Sequence, residues 1–428
     1  MNVLILTNHL ADLCGSEIQV LELYNYFKNR NHNVKIYVNI MDYPIIKYFD
    51  KNDLLTDVEQ INLEIIDLVW SQHCLFASLF QNRIYKELHI KLISVHLSPY
   101  EMLELCSVPY MKLLKCVFVA NSLETKDKLI SLGVNNDNIL VSGNCAPSEY
   151  LNNLPKKKSL HNILVVSNHV PQEIMEAINI LSEKYQISVI GGKKPVLVNP
   201  ELINKYDMII TIGKTVQYGL LSGVPVYCYD HFGGPGFLNH ENFEVARYHN
   251  FSGRGFDKKT AKQITIEIEK EFDLASKFFN EYSDKNHFLL ENFMDKIINQ
   301  KDKCLINQEV QQTLLPYIAM EQKISELYIL IRKLGKQASY FSLEVETTTK
   351  ELQTTTNTLK QKEKDIEIFS TELKIVTEKI TLSEEKIINE KNEKQRLYKK
   401  YRKYRKFLKI LSLILILFIF STILLLGT

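Results

Sequence analysis

Residues 2–38, NVLILTNHLADLCGSEIQVLELYNYFKNRNHNVKIYV, decide the fold class. Asn2-Val3-Leu4-Ile5-Leu6-Thr7 is a short apolar run, the pattern of a strand buried on both faces. Cys14-Gly15-Ser16-Glu17 interrupts it as a loop. Ile18, Leu21, Leu23, Tyr24 and Phe27 then fall on one face of a helix, and Val34 to Val38 supplies the next strand. Strand, helix and strand in that order call for a parallel sheet covered on both sides.

The same alternation continues outward. Leu68-Val69-Trp70, Lys91 to Val95, Val117 to Ala120 and Ile139 to Val141 read as further strands. Pro155-Lys156-Lys157-Lys158-Ser159 reads as a linker, after which the pattern restarts. Ile163 to Ser167, Ile187 to Gly191, Asp207 to Thr211 and Pro225 to Tyr229 are strands. Helices are expected from Glu173 to Leu181 and from near Lys214, and a further one, Phe278 to Ile298, would cross back onto the first half. The expected architecture is α/β: two facing Rossmann-like domains, 1–155 and 156–300. A linker (301–320), a long coiled-coil helix (321–400) and one C-terminal transmembrane helix (407–427) follow. Ligands in such sheets bind at the carboxyl ends of the strands, here in the cleft between the halves.

Composition narrows the function classes. With 45% hydrophobic residues in 428, the chain has ample material for a core, which excludes disorder throughout. Seven cysteines are odd in number and scattered without a CxxC pair, so zinc and thioredoxin-like readings have no support. Buried free thiols in a reducing compartment are expected. The net charge of +2 hides an asymmetry: nine Lys/Arg and no acid lie between Lys394 and Lys409, and removing those nine charges leaves −7. Nucleic acid is therefore not an expected partner of the bulk.

Ile410 to Leu426 carries no charge. At 1.5 Å per residue it spans about 26 Å, close to the hydrocarbon thickness of a bilayer. The basic block before it orients the rest toward the cytoplasm and suits anionic lipid headgroups. Upstream, a strict 3-4 spacing runs from Ile324 through Leu327, Ile331, Leu334, Ala338 and Phe341 to Ile380, Ile387 and Leu397. Such a repeat implies a left-handed supercoil, and a parallel homo-oligomer is the simplest expectation for chains anchored at one end.

The densest cluster of chemistry-bearing residues is Ile212 to Gly255. Gly213-Lys214-Thr215 falls between a strand and a helix, where backbone N–H groups and the helix dipole favour an anion and Lys214 adds a full charge. A Walker loop would need glycine at Met208, so that motif is not met. Asp230, followed by Gly233, Gly234 and Gly236, sits at a strand end where glycine permits close approach to a ligand. Lys193 and Lys194 follow Gly191-Gly192. In the first half Gly15, His73 and His96 lie at strand carboxyl ends. No spacing suggests a metal site.

These segments resemble glycosyltransferase family 4 of the GT-B class over the first 300 residues. The resemblance is carried by Gly15-Ser16-Glu17, His32-Asn33-Val34, Ala120-Asn121-Ser122 with Glu124-Thr125 and Asn144, Gly213-Lys214-Thr215 with Gly223-Val224-Pro225-Val226, and Asn250 to Arg254. It implies transfer of a sugar from a nucleotide-sugar co-substrate, with retention and no metal or other cofactor, to a membrane-associated glycan or lipid-linked acceptor. From their own positions, His96 at a strand end and Lys214 at a helix start, these two are expected to act in catalysis. Gly15, Gly213, Lys214, Thr215, Tyr218, Asp230, Gly233 and Gly234 would bind the donor, with Tyr218 stacking on the base. The chain departs from the family at two places: its paired glutamates are replaced by Ile210 and Tyr218, and its Arg/Lys pair by Ser167-Asn168-His169. A degenerate, non-catalytic tether and a GT-B epimerase or phosphorylase are the alternatives.

Overall fold

A computed structural model describes residues 1–152, 159–192, 194–300, 303–368 and 373–426, with side chains for all of these except 363–379 and 419–426. The chain divides into two compact units, Met1–Glu321 and Gln322–Thr428.

The first unit holds both expected sheets. Strands β1 (Asn2–Leu10), β2 (Asn33–Met41), β3 (Leu54–Leu55), β4 (Leu68–Gln72), β5 (Glu87–His96), β6 (Val117–Ala120) and β7 (Ile139–Val141) form a parallel sheet in the order β3-β2-β1-β4-β5-β6-β7. That is the doubly wound order, with its reversal between β1 and β4. Helices α1 (Gly15–Lys28), α2 (Met102–Leu105), α3 (Val108–Met111) and α4 (Leu123–Ser131) connect them.

The second sheet contains β8 (Asn162–Val166), β9 (Gln186–Ile190), β10 (Met208–Thr211), β11 (Val226–Asp230) and β12 (Gly233–Phe237), ordered β12-β11-β10-β8-β9. Its helices are α5 (Gln172–Leu181), α6 (Pro200–Ile203), α7 (Lys214–Ser222), α8 (Phe243–Tyr248) and α9 (Ala261–Glu281). Helix α10 (Leu290–Ile298) crosses back: Leu290, Phe293, Met294 and Ile297 join the core of the first sheet with Val3, Ile5, Phe27 and Trp70. The expected single helix 278–298 is thus two pieces, the first packed on the second sheet and the second on the first.

Three expectations need correction. Of the expected linker 301–320, the described residues from 304 on are not a linker. Cys304–Asn307 forms β13, antiparallel to Glu87–Ile90 of β5, and helix α11 (Gln308–Ile368) starts directly after it. Glu321, fully buried on that helix, accepts from the Ser78 amide and hydroxyl at 2.7 and 2.8 Å and from the Tyr110 hydroxyl, and burial pushes its pKa up to about 7. The cysteines are not all thiols either, because Cys74 and Cys106 form a disulfide; the other five are thiols. The expected linker residues 155–158 lie outside the described residues.

The third correction concerns the long helix. In the second unit α11 is followed by α12 (Leu373–Leu426), and the Phe341 ring stacks on Tyr404 at 5.6 Å with Lys400 over the same ring at 4.5 Å. On one continuous helix those two rings would be roughly 95 Å apart. The chain therefore doubles back, and α11 and α12 run antiparallel. Ile331, Leu334, Ala338, Phe341, Val345, Thr348, Leu352, Thr355 and Leu359 are all at least half-covered, as are Ile380, Ile387 and Leu397. The heptad positions thus form the less exposed face of each helix, while Ile366 to Val376 have no described side chains. No helix among the described residues is long and apolar enough to cross a membrane, and the expected span 407–427 runs into residues 419–427, outside the described side chains.

Candidate functional site

A cleft of about 370 Å³ opens at the carboxyl ends of both sheets. Three turns build it. Leu13 to Ser16 follow β1, Ser167 to His169 follow β8, and Thr211 to Thr215 follow β10. All three follow strands that flank the places where the strand orders reverse, the geometry that opens a crevice in a doubly wound sheet.

Two helices begin in this cleft, and no side chain caps either one. Helix α1 starts at Gly15 after Cys14, and α7 starts after Gly213. Uncapped first turns carry partial positive charge and unspent N–H donors. A Cβ added at Gly15 or Gly213 would meet nothing within 4 Å, so these glycines keep space open on the cleft side. Gly213 also has φ 59° and ψ −130°, a backbone readily adopted by glycine alone. Asn121, Asn144, Asn168 and Asn250 with Ser16, Ser167, Thr211 and Thr215 supply amides and hydroxyls, and Pro195 to Val198 close one side. That lining is polar but nearly uncharged.

Lys214 is the one lysine or arginine among the described lining residues. Its Nζ pairs with Glu22 Oε2 of α1 at 2.5 Å and donates to the Cys145 carbonyl at 2.5 Å and, more weakly, to Asn144 O at 3.4 Å. Both side chains are only 10% exposed. The other Glu22 oxygen accepts from the Tyr218 hydroxyl. Burial drives the Glu22 pKa upward, and the pull of Lys214 and Tyr218 offsets only part of it. Glu22 sits inside the apolar run Val20-Leu21-Glu22-Leu23. A charged residue on the buried face of a helix was the available signal, but its partner is far along the chain.

A second set of contacts joins the halves, beginning outside the cleft lining and ending at it. Glu124, at the start of α4, pairs with Arg254 at 2.5 Å and accepts from Tyr100 at 3.0 Å, with His249 at 3.2 Å. Burial raises its pKa, but Arg254, Tyr100 and His249 outweigh that and hold it below the usual range. Tyr248 donates to Asp127 at 2.7 Å, and Asn144 to Asn250 at 2.7 Å.

No family model matches the chain, and no protein of curated function matches it in sequence. Among solved structures it is similar to the lipopolysaccharide outer core galactosyltransferase WaaB in its apo form, at 14% identity over 65% of this chain and 98% of that one, with a TM-score of 0.37. HepE of Anabaena, solved with UDP and glucose, is 13% identical over 70% of this chain and 98% of its own, with a TM-score of 0.42. WaaG, a glycosyltransferase involved in lipopolysaccharide biosynthesis, is 10% identical over 70% and 100%, also at 0.42. Likeness at this level carries no argument about chemistry, which rests on the cleft itself.

The structure brings together Gly15, Gly213, Lys214, Thr215 and Tyr218 in the cleft wall. Tyr218 does not offer a free ring for a base: it stacks on Tyr150 with centroids 4.0 Å apart and is almost fully buried. His96 is absent from the lining. It is completely buried, bonded to Ser94 at 2.9 Å and stacked on Phe118, and burial pushes its pKa down to about 3. A neutral, enclosed imidazole has no access to a substrate in this arrangement. Asp230 lines a separate small recess beside Tyr229 and pairs with His231 at 3.2 Å. Gly233 and Gly234 form no ligand loop. They begin β12, where a side chain would strike the Asp257 carbonyl or the Cys228 carbonyl, so they serve close backbone packing. Lys193 lies outside the described residues. Among the described residues no group of three His, Cys, Asp or Glu could hold a metal ion.

Proposed function

We propose that the chain is a glycosyltransferase whose cleft takes a nucleotide-sugar donor and passes the sugar to a membrane-associated glycan or lipid-linked acceptor. One observation carries this reading: two uncapped helix N-termini from different domains open into one cleft, each led by a glycine that leaves the approach clear. Dipoles fixed in place beforehand stabilise a leaving phosphate without reorganisation, a contribution often worth several kcal/mol. The asparagines and hydroxyls of the lining suit the hydroxyl groups of a sugar. Retention at the anomeric carbon and independence from metal belong to the proposal through the family resemblance alone.

The test is incubation of the purified chain with a panel of nucleotide sugars, reading release of the nucleotide and thermal shift. Release or a shift of several degrees with one donor supports the reading. No response at millimolar concentration sinks it and leaves the second reading, a non-catalytic tether. Neutralisation of Lys214 by Glu22 favours that second reading.

The proposal extends to the second unit. Ile410, Leu413, Ile414 and Leu417 are 50–61% exposed, directly after a basic segment. Exposed apolar side chains beside cations fit a bilayer with anionic headgroups. On this proposal the C-terminal run attaches the chain to a membrane with its globular part cytoplasmic, and the heptad stripe forms a coiled coil. Flotation with vesicles containing anionic lipid should carry the full chain upward in 1 M salt. A chain ending before Phe407 should stay at the bottom, and equal flotation of the two would refute the attachment.

A further inference from the structure

The cleft accepts anions through helix ends, yet its lysine is already matched by a carboxylate. On the reading just proposed, we infer that Glu22 sets the charge this cleft accepts, so that it receives a singly phosphorylated nucleotide group about as well as a diphosphate.

Three observations combine. Lys214 makes all its polar contacts inward, to Glu22, Cys145 O and Asn144 O. Seen from a ligand in the cleft, a cation 2.5 Å from an anion is a dipole and not a net charge, and its field falls off steeply. No other lysine or arginine stands among the described lining residues, and Ser167-Asn168-His169 occupies the turn after β8. Among the described residues what remains are the two helix N-termini, each equivalent to about half a positive charge. About one unit of charge answers one phosphate better than two. Further groups around Glu22 are Tyr218 and Glu149, and Tyr150 stacks behind Tyr218; none adds a cation.

The Lys214 ammonium is also held by two backbone carbonyls, so it stays in the cleft wall when the carboxylate is neutralised. Glu22→Gln keeps the shape and an acceptor for Tyr218, and leaves one uncompensated cation in the cleft wall. A charge-assisted bond to a second phosphate then becomes available, and such bonds are roughly twice as strong as neutral ones.

The experiment is calorimetric titration of the full chain with the mono- and diphosphates of adenosine, guanosine, cytidine and uridine. In the wild type, the mono- and diphosphate of whichever base binds should agree within about threefold. Glu22→Gln should tighten the diphosphate by tenfold or more over the monophosphate. A Glu22→Gln/Lys214→Met double variant should restore the wild-type ratio, and it keeps the test open should the single variant fold poorly. A tenfold preference for diphosphate in the wild type overturns the inference, as does a ratio unchanged in Glu22→Gln. If no nucleotide binds any of the three proteins at millimolar concentration, the cleft reading itself fails with it.

Discussion

Two ion pairs tie the first α/β half to the second, and their surroundings differ. Lys214–Glu22 lies in the cleft wall with both side chains 10% exposed, sealed by Tyr218, Tyr150 and Cys145. Arg254–Glu124 is more open on the basic side, at 23%, and its cation also lies over the rings of Tyr100 and Phe232. Burial is the largest influence on both carboxylates, and it wins at Glu22 but loses at Glu124. The difference teaches that one pair cancels a charge inside a binding cleft while the other latches two domains in contact with water.

The largest effect expected from this contrast is on stability. Glu22→Ala leaves Lys214 buried without a counter-charge, which typically costs about 3–5 kcal/mol. By the usual relation between stability and melting point, the midpoint should fall by about 5 °C. A drop below about 2 °C in a melting curve would show that water reaches the pair.

Acidity separates the pairs next, because their signs are opposite. The Glu22 pKa is above the ordinary 4.5, so between that value and the raised one the folded chain binds more protons than the unfolded chain. Stability from this group therefore declines as pH rises through the window. Glu124 is depressed below 4.5, so its contribution is complete above that value and is lost as pH falls through the lowered one. Denaturation midpoints from pH 3 to 8 should show that Glu22→Gln removes part of the decline on the upper side. Glu124→Gln should remove part of the acid-side loss. The same direction of change in both variants would contradict the contrast.

A smaller effect belongs to the latch itself. Arg254→Ala with Glu124→Ala in a double-mutant cycle should give a coupling of about 1 kcal/mol, the range for partly exposed pairs. High salt should shrink that coupling. A value near 3 kcal/mol would mean that the outer pair is as sealed as the inner one.

Much of this arrangement was legible in the sequence, and the exceptions have physical causes. The strands were readable because a parallel strand buried on both faces must be continuously apolar, as Val3 to Leu6 and Ile163 to Val165 are. The heptad stripe was readable from spacing, but its reversal was not. An antiparallel pair and a parallel pair bury the same positions, and the contacts of Phe341 with Tyr404 and Lys400 tell them apart. Four-residue β13 was hidden by its brevity within a stretch of polar residues. The glycines after β11 were misread because closeness to a ligand and closeness to backbone demand the same residue. Gly234 meets the Cys228 carbonyl, whereas Gly15 meets nothing. Lys214 was found, but its partner was not, since a glutamate on α1 and a lysine on α7 are brought together only by the two-domain fold.

That contrast between glycines sets up the smallest expected effect on stability and the most direct view of the cleft. Gly15 stands at the first position of α1, with no positive φ and open space where a side chain would go. Alanine there improves helix propensity by up to about 1 kcal/mol and collides with no protein atom. Gly15→Ala should therefore melt at or slightly above the wild-type temperature. Its methyl group stands on the cleft side of an uncapped helix end, where an approaching phosphate needs the first N–H groups at about 2.9 Å. Affinity for a bound nucleotide should fall severalfold while the fold is untouched. Lower stability with unchanged affinity would reverse both halves of the expectation, and would show that α1 opens onto packed protein and not onto a ligand.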